Sequence, residues 1–181
     1  MTESLDIVYD IVKEKPKEKR HILAILVDNE FGVLARVIGL FSGRGYNIDS
    51  LTVSEVDPKK KLSRITIATV GSDMIIRQII TLLERMVPVH KVHDLTEEGP
   101  HVERELVLVK VVGSGEKRVE AMRLADVFRA RSVDATSDSF VFELTGKSDK
   151  IDTFIDLMRP LGLVDVSRTG VVAIARGPKG M

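Results

Sequence analysis

The chain has 181 residues, of which 44% are apolar, enough to fill the core of one ordinary domain or two small ones and too many for a disordered polypeptide. Its 27 basic and 27 acidic residues cancel, so it lacks the positive field of a general polyanion binder, and few aromatics (six Phe, two Tyr, no Trp) argue against stacking platforms for bases or sugars. The absence of cysteine excludes disulfides, thiolate metal sites and a cysteine nucleophile, and fits a reducing, cytoplasmic setting. No apolar run approaches the roughly 20 residues that span a bilayer, and the acids in Met1 to Asp10 stand where a signal peptide carries basic residues.

Residues 1–20 end in the charged run Lys13 to Arg20 and read as a mobile arm. From Ile22 to Val27 an uninterrupted apolar run has strand length and reads as covered on both faces. Leu34, Val37, Ile38 and Phe41 then recur at helical spacing, with Gly43 and Gly45 as the stop. Tyr46 to Val56 and Leu62 to Val70 are β-branched runs about the Asp57-Pro58 turn and predict a hairpin. Ser72 is placed to cap a helix facing inward through Ile75, Ile79, Leu82 and Met86, and Pro88 opens a strand to Leu95. The order is βαββαβ.

Thr96 to His101, with acids, glycine and proline, reads as a linker. The same order then returns: a strand at Glu105 to Val112, a helix facing inward through Ala121, Leu124, Ala125 and Phe128, and a strand pair within Ser132 to Thr145 turning at Ser137-Asp138. A helix capped by Ser148 carries Ile151, Phe154, Ile155 and Met158, Pro160 and Gly162 end it, and one strand runs from Val164 to Ala175. The reading is an α+β chain of two ferredoxin-like βαββαβ domains with helices on one face of each antiparallel sheet. Its divisions are an arm at 1–20, a first domain at 21–96, a linker at 97–102 and a second domain at 103–178. The apolar runs at 22–27 and 106–112 predict cover on the open sheet faces, from the other half or from a second copy.

No catalytic constellation emerges, and no metal site is expected. His90 and His93 lie three apart on a strand, so they point to opposite faces and cannot grip one metal that way. The glycine a P-loop needs before Gly146-Lys147-Ser148 falls on Val141, and the third glycine of a dinucleotide fingerprint after Gly113 and Gly115 falls on Arg118. RNA-recognition modules share the strand order, but Ser63 to Thr69 carries no aromatic for stacking bases, so no nucleic acid is expected.

The segment Asp28-Asn29-Glu30-Phe31-Gly32-Val33-Leu34 joins the first strand to the first helix. A helix N-terminus offers unpaired N–H groups and partial positive charge to a carboxylate, Gly32 permits close approach, and Asn29 both donates and accepts. An α-amino acid needs those services; a tight strand-to-helix turn would need the same residues for purely structural reasons.

The blocks Leu26 to Val53 and Leu62 to Ile67 resemble the ACT domain of the small, regulatory subunit of acetohydroxyacid synthase (acetolactate synthase), and Val102 to Val111 with Ser167 to Gly177 resemble that subunit's C-terminal domain. The resemblance implies a non-catalytic partner of a large subunit that carries thiamine diphosphate, magnesium and FAD, with no cofactor in this chain. It implies activation of that subunit in branched-chain amino acid biosynthesis, feedback inhibition by valine, and valine sites between paired ACT domains of a homodimer. The positions matching the family's valine site are Asn29, Gly32, Val33, Leu34, Asn47 and Ile48, the last two read onto the second strand. A free-standing ACT regulator of another target is the alternative.

Overall fold

The computed structural model describes residues 18–178 and 180–181. Most of the arm expected at 1–20 therefore lies outside the described residues, and its last two residues, Lys19 and Arg20, open the first strand.

The N-terminal half runs β1 (Lys19–Asp28), α1 (Val33–Ser42), β2 (Ser50–Asp57), β3 (Leu62–Gly71), α2 (Asp73–Glu84) and β4 (Val89–Asp94). The strands form an antiparallel sheet in the order β2-β3-β1-β4. Alternation along β1 sends Leu23, Ile25 and Val27 to the helix side, where they pack with Val33, Val37 and Phe41 of α1 and Ile76, Ile79 and Leu83 of α2. Both helices are turned from the expected faces. In α1 the buried stripe is Val33, Val37 and Phe41, with Leu34 outward; in α2 Leu83 is buried and Leu82 is not. Apolar doublets at 33–34, 37–38, 75–76 and 82–83 make either phase amphipathic, and only contact with the sheet selects one. Ser72 caps α2 as expected, its hydroxyl accepting from the N–H of Ile75.

The C-terminal half repeats the plan with β5 (His101–Val112), α3 (Gly115–Phe128), β6 (Arg131–Ala135), β7 (Ser139–Gly146), α4 (Ser148–Met158) and β8 (Leu163–Arg168), in the sheet order β6-β7-β5-β8. Its core joins Val107, Val109 and Val111 to Phe140, Phe142 and Leu144 under Ala121, Ala125, Ile151, Phe154 and Met158. Lys147, not Ser148, holds the cap position of α4. The Ser148 hydroxyl instead donates to Glu105 on β5.

The expected last strand, Val164 to Ala175, is two. After β8 the chain breaks at Thr169-Gly170 and continues as β9 (Val172–Ala175), which pairs with His101 to Arg104, the first third of β5. This β5–β9 ribbon lies across the open face of the N-terminal sheet. Val171 and Ala173 bury Ile22, Ala24 and Leu95, the Val171 N–H donates to Ser50 Oγ (2.7 Å), Thr52 Oγ1 donates to the Val171 carbonyl (2.9 Å) and Arg64 donates to that of Ala173 (2.8 Å). The face is built for close approach, since its central side chains are Ala24, Thr66, Ala68, Ser50 and Thr52, all small. The run at 22–27 thus receives its second cover within the chain. Among the described residues the run at 106–112 has no such cover: Leu108 and Val112 stay exposed on the far side of the C-terminal sheet, with Lys110 between them. No helix among the described residues is long and apolar enough to cross a membrane.

Candidate functional site

The loop between β1 and α1 is held from two sides. The N–H of Asp28 donates to the Pro88 carbonyl (2.9 Å) and that of Asn29 to the Lys61 carbonyl (2.7 Å), tying the loop to the α2–β4 connection and to the hairpin tip. Gly32 occupies the cap position of α1 with φ 81°, a left-handed conformation that glycine adopts without strain. It brings no side chain to the helix end, and α1 has no side-chain cap hydrogen bond. The first-turn N–H groups of Leu34 and Ala35 therefore face outward as donors, with the helix dipole behind them. Phe31, next to Gly32, is fully exposed.

Asn29 is exposed, and its amide donates to Glu55 Oε1 on β2 (2.9 Å). Glu55 was not legible as a neighbour, because 26 residues separate the pair and only the strand register joins them. Val33 sits elsewhere than a ligand pocket requires. Its side chain is buried in the domain core, so only its N–H can serve a ligand, and that N–H already leans 3.4 Å toward the Glu30 carbonyl. Leu34 presents a half-exposed side chain beside the free N–H groups.

Asn47 and Ile48 precede β2 and do not lie on it. The Asn47 carbonyl accepts from Thr69 Oγ1 (2.6 Å), its amide donates to Asp49 (2.5 Å), and Ile48 rests against the core margin. Asn29 follows Asp28, which faces Leu62 at the start of β3, whereas Asn47 is held by Thr69 seven residues further along that strand. At the rise of a strand the two asparagines are about 20 Å apart, too far for one small ligand. Within one chain the six expected residues fall into two groups at opposite ends of the sheet.

His90 and His93 each face a separate carboxylate, Asp28 at 2.6 Å and Glu98 at 2.7 Å. Among the described residues no three His, Asp or Glu side chains converge on one point that a metal could occupy.

Comparison with known proteins bears on both halves. Residues 23–91 match the family described as the AHAS small subunit-like ACT domain, and residues 104–177 match the family described as the small subunit of acetolactate synthase. The chain is 48% identical over 160 residues to a probable acetolactate synthase small subunit of Archaeoglobus fulgidus, covering 88% of this chain and 99% of that one. It is 46% identical over 163 residues to the acetolactate synthase isozyme 3 small subunit of Escherichia coli, covering 90% and 99%. The crystal structure of the acetolactate synthase small subunit from Thermotoga maritima superposes with a TM-score of 0.79 at 36% identity, covering 89% of this chain and 99% of that one. Two matched domains in the same order, full-length relatives and a shared fold agree, and the chain belongs to the family of acetolactate synthase small subunits.

Proposed function

We propose that this chain binds the catalytic large subunit of acetohydroxyacid synthase, raises its activity, and makes it sensitive to valine. The thiamine diphosphate, magnesium and FAD of that reaction belong to the catalytic subunit, which condenses pyruvate with pyruvate or 2-oxobutyrate; this chain contributes a sensor and no catalytic group. The observation that carries the reading is the uncapped N-terminus of α1 at Gly32 within an ACT domain of this family. A valine carboxylate accepts from the N–H groups of Leu34 and Ala35, and its ammonium is held by the oxygen atoms of Asn29 or Asn47. Because Asn29 and Asn47 lie at opposite ends of one sheet, the site is completed by a second copy. The 29–34 loop of one chain meets Asn47 and Ile48 of the other, with Leu34 and Ile48 flanking the isopropyl group.

Burying that group contributes about 1.5–3 kcal/mol and each charge-assisted hydrogen bond about as much, which after ordering costs gives affinities of micromolar to millimolar order, suited to feedback. A ligand at a two-copy site changes activity only by favouring one packing of the copies over another. The ribbon carries that change to the C-terminal half, since Ser50 and Thr52 on β2, just past the Asn47 half-site, hold the backbone of Val171. Reconstitution with the large subunit tests the reading: acetolactate formation rises on adding the chain and falls on adding valine, and Gly32→Asp keeps the rise while losing the fall. No rise, or valine inhibition of Gly32→Asp at unchanged affinity, would overturn it.

A further inference from the structure

The helix layer of the N-terminal domain carries an open groove of about 700 Å³ along the outer side of α2, apart from the sensor loop. Its walls include Met74, Arg77, Gln78 and Leu82 of α2, Asp73 at the start of that helix, and Arg44 from beyond the end of α1. Met74, Gln78 and Leu82 recur at a spacing of four and form one stripe along the helix. Met74 is 64% exposed, and Leu82 is turned outward by the helix phase that buries Leu83. The stripe is therefore apolar surface without cover among the described residues. Beside it stand two guanidinium groups. Arg77 lies one turn on from Asp73, but Asp73 is held by Lys19 at 3.0 Å, and among the described residues neither Arg44 nor Arg77 has a carboxylate within ion-pairing distance. An apolar stripe flanked by unspent guanidinium forks is complementary to an amphipathic segment whose polar side is acidic.

We infer that this groove receives residues 3–12 of the same chain, with Leu5, Val8 and Val12 against Met74 and Leu82 and with Glu3, Asp6 and Asp10 toward Arg44 and Arg77. Both trios follow the spacing i, i+3, i+7, which in a helix gathers the apolar three on one face and the acidic three on the opposite one. These residues precede both family-matched regions, the first of which starts at residue 23, so neither family's domain accounts for them. The tether fits. Lys19, where the chain enters β1, is fastened to Asp73 at the start of the groove, and the span from Lys13 to Glu18 reaches about 20 Å when extended, whereas Leu82 lies about 14 Å along α2 from Asp73. Attachment to the same chain also raises the effective concentration of the segment, so contacts too weak to hold a free peptide suffice. The groove shares no residue with the sensor loop, and the inference does not depend on valine sensing.

The test is paramagnetic relaxation in the full chain. The sequence has no cysteine, so Ser4→Cys offers a single attachment point for a nitroxide. The expected result is broadening of the methyl signals of Met74 and Leu82 and of the amide of Gln78, unchanged when the labelled chain is diluted into an excess of unlabelled chain. Raised salt weakens it, as for any contact between exposed charges. Arg44→Glu with Arg77→Glu, two exposed substitutions, is expected to reduce the broadening to background while the remaining amide signals report an intact fold. Adding Asp6→Lys and Asp10→Lys to that variant reverses the charges on the other side and is expected to restore it. Absence of broadening in the unsubstituted groove, broadening centred elsewhere, broadening that survives Arg44→Glu with Arg77→Glu, or failure of the charge exchange to restore it would each overturn the assignment. Loss of broadening on dilution would overturn it as well, because the groove would then receive the segment of a second copy.

Discussion

Gly32 is strained by substitution through its torsion and not through its surroundings: φ is 81°, and a Cβ built there meets nothing within 4 Å. Alanine at this position costs about 1–2 kcal/mol for the left-handed conformation and brings no charge. Gly32→Ala is therefore expected to lower stability in urea unfolding while keeping valine inhibition. Gly32→Asp sets a carboxylate at the same helix end and is expected to abolish it. If the two variants lose inhibition alike, the site depends on the turn geometry alone and the carboxylate is not held at the helix N-terminus.

Glu105 is the other residue whose chemistry is decided by its neighbours. It is nearly fully buried, accepts two hydrogen bonds from the Arg168 fork (2.6 and 2.8 Å) and one from Ser148, and Arg168 reaches on to Asp152. The hydrogen bonds from Arg168 hold the Glu105 carboxyl below the ordinary glutamate range, against the opposing effect of burial. A carboxylate with a lowered folded value adds stability that is complete above its unfolded value of about 4.3 and is lost as pH falls through the folded value. Unfolding free energy should therefore decline below about pH 4 in the natural sequence. Glu105→Gln should start about 1–3 kcal/mol lower at pH 7 and lose less on acidification. Equal acid slopes for the two proteins would show that the Glu105–Arg168 pair is not the titrating contact.

At the scale of elements, the segment from Thr169 to Ala175 is the point where the two sheets are joined. Gly170 has φ 83°, and a Cβ there would lie 2.8 Å from Ser50 Oγ, 3.2 Å from the Thr52 methyl and 3.3 Å from the Leu51 carbonyl. Gly170→Val is expected to lift the ribbon from the sheet, exposing Ile22, Ala24 and Leu95. The measurable results are faster amide exchange at Val171 and Ala173 and cleavage by protease in 169–175, with the core of each domain preserved. Unchanged exchange there would mean the ribbon tolerates displacement from Ser50 and does not couple the halves. Ser50→Ala with Thr52→Val removes the two hydroxyl contacts without the clash, and is expected to weaken the valine effect while leaving valine binding intact.

What was legible in the sequence follows from how local each cause is. The order of elements along the chain, the hairpin tip and the Ser72 cap depend on residues a few positions apart, and each was readable. The helix phases were not, because doublets such as Val37-Ile38 and Leu82-Leu83 satisfy two faces equally until the sheet chooses. The break between β8 and β9 carried a local signal, Thr169-Gly170, inside a run that otherwise reads as continuous strand. The candidate site was half legible. The Gly32 turn has a physical signature in the sequence, whereas Asn47 and Ile48 came from family resemblance alone, and the burial of Val33 follows from a helix phase that no local pattern fixes.

For the whole molecule, the two halves are linked by a short connection, Leu95 to Pro100, and by the ribbon that doubles back over the N-terminal sheet. A side-chain contact reinforces this join: Arg20 on β1 pairs with Glu103 on β5 at 2.9 Å. Under the proposed two-copy site, a change in how two ACT domains pack would therefore be felt at the ribbon. The far face of the C-terminal sheet, with Leu108 and Val112 exposed, has no such cover among the described residues. The account rests on this chain sensing valine, and calorimetric titration of the purified chain with L-valine, with D-valine and glycine as controls, tests that most directly. Saturable binding of the L-isomer alone, abolished in Gly32→Asp, is the predicted result. Equal heats for both isomers, or undiminished binding by Gly32→Asp, would contradict it.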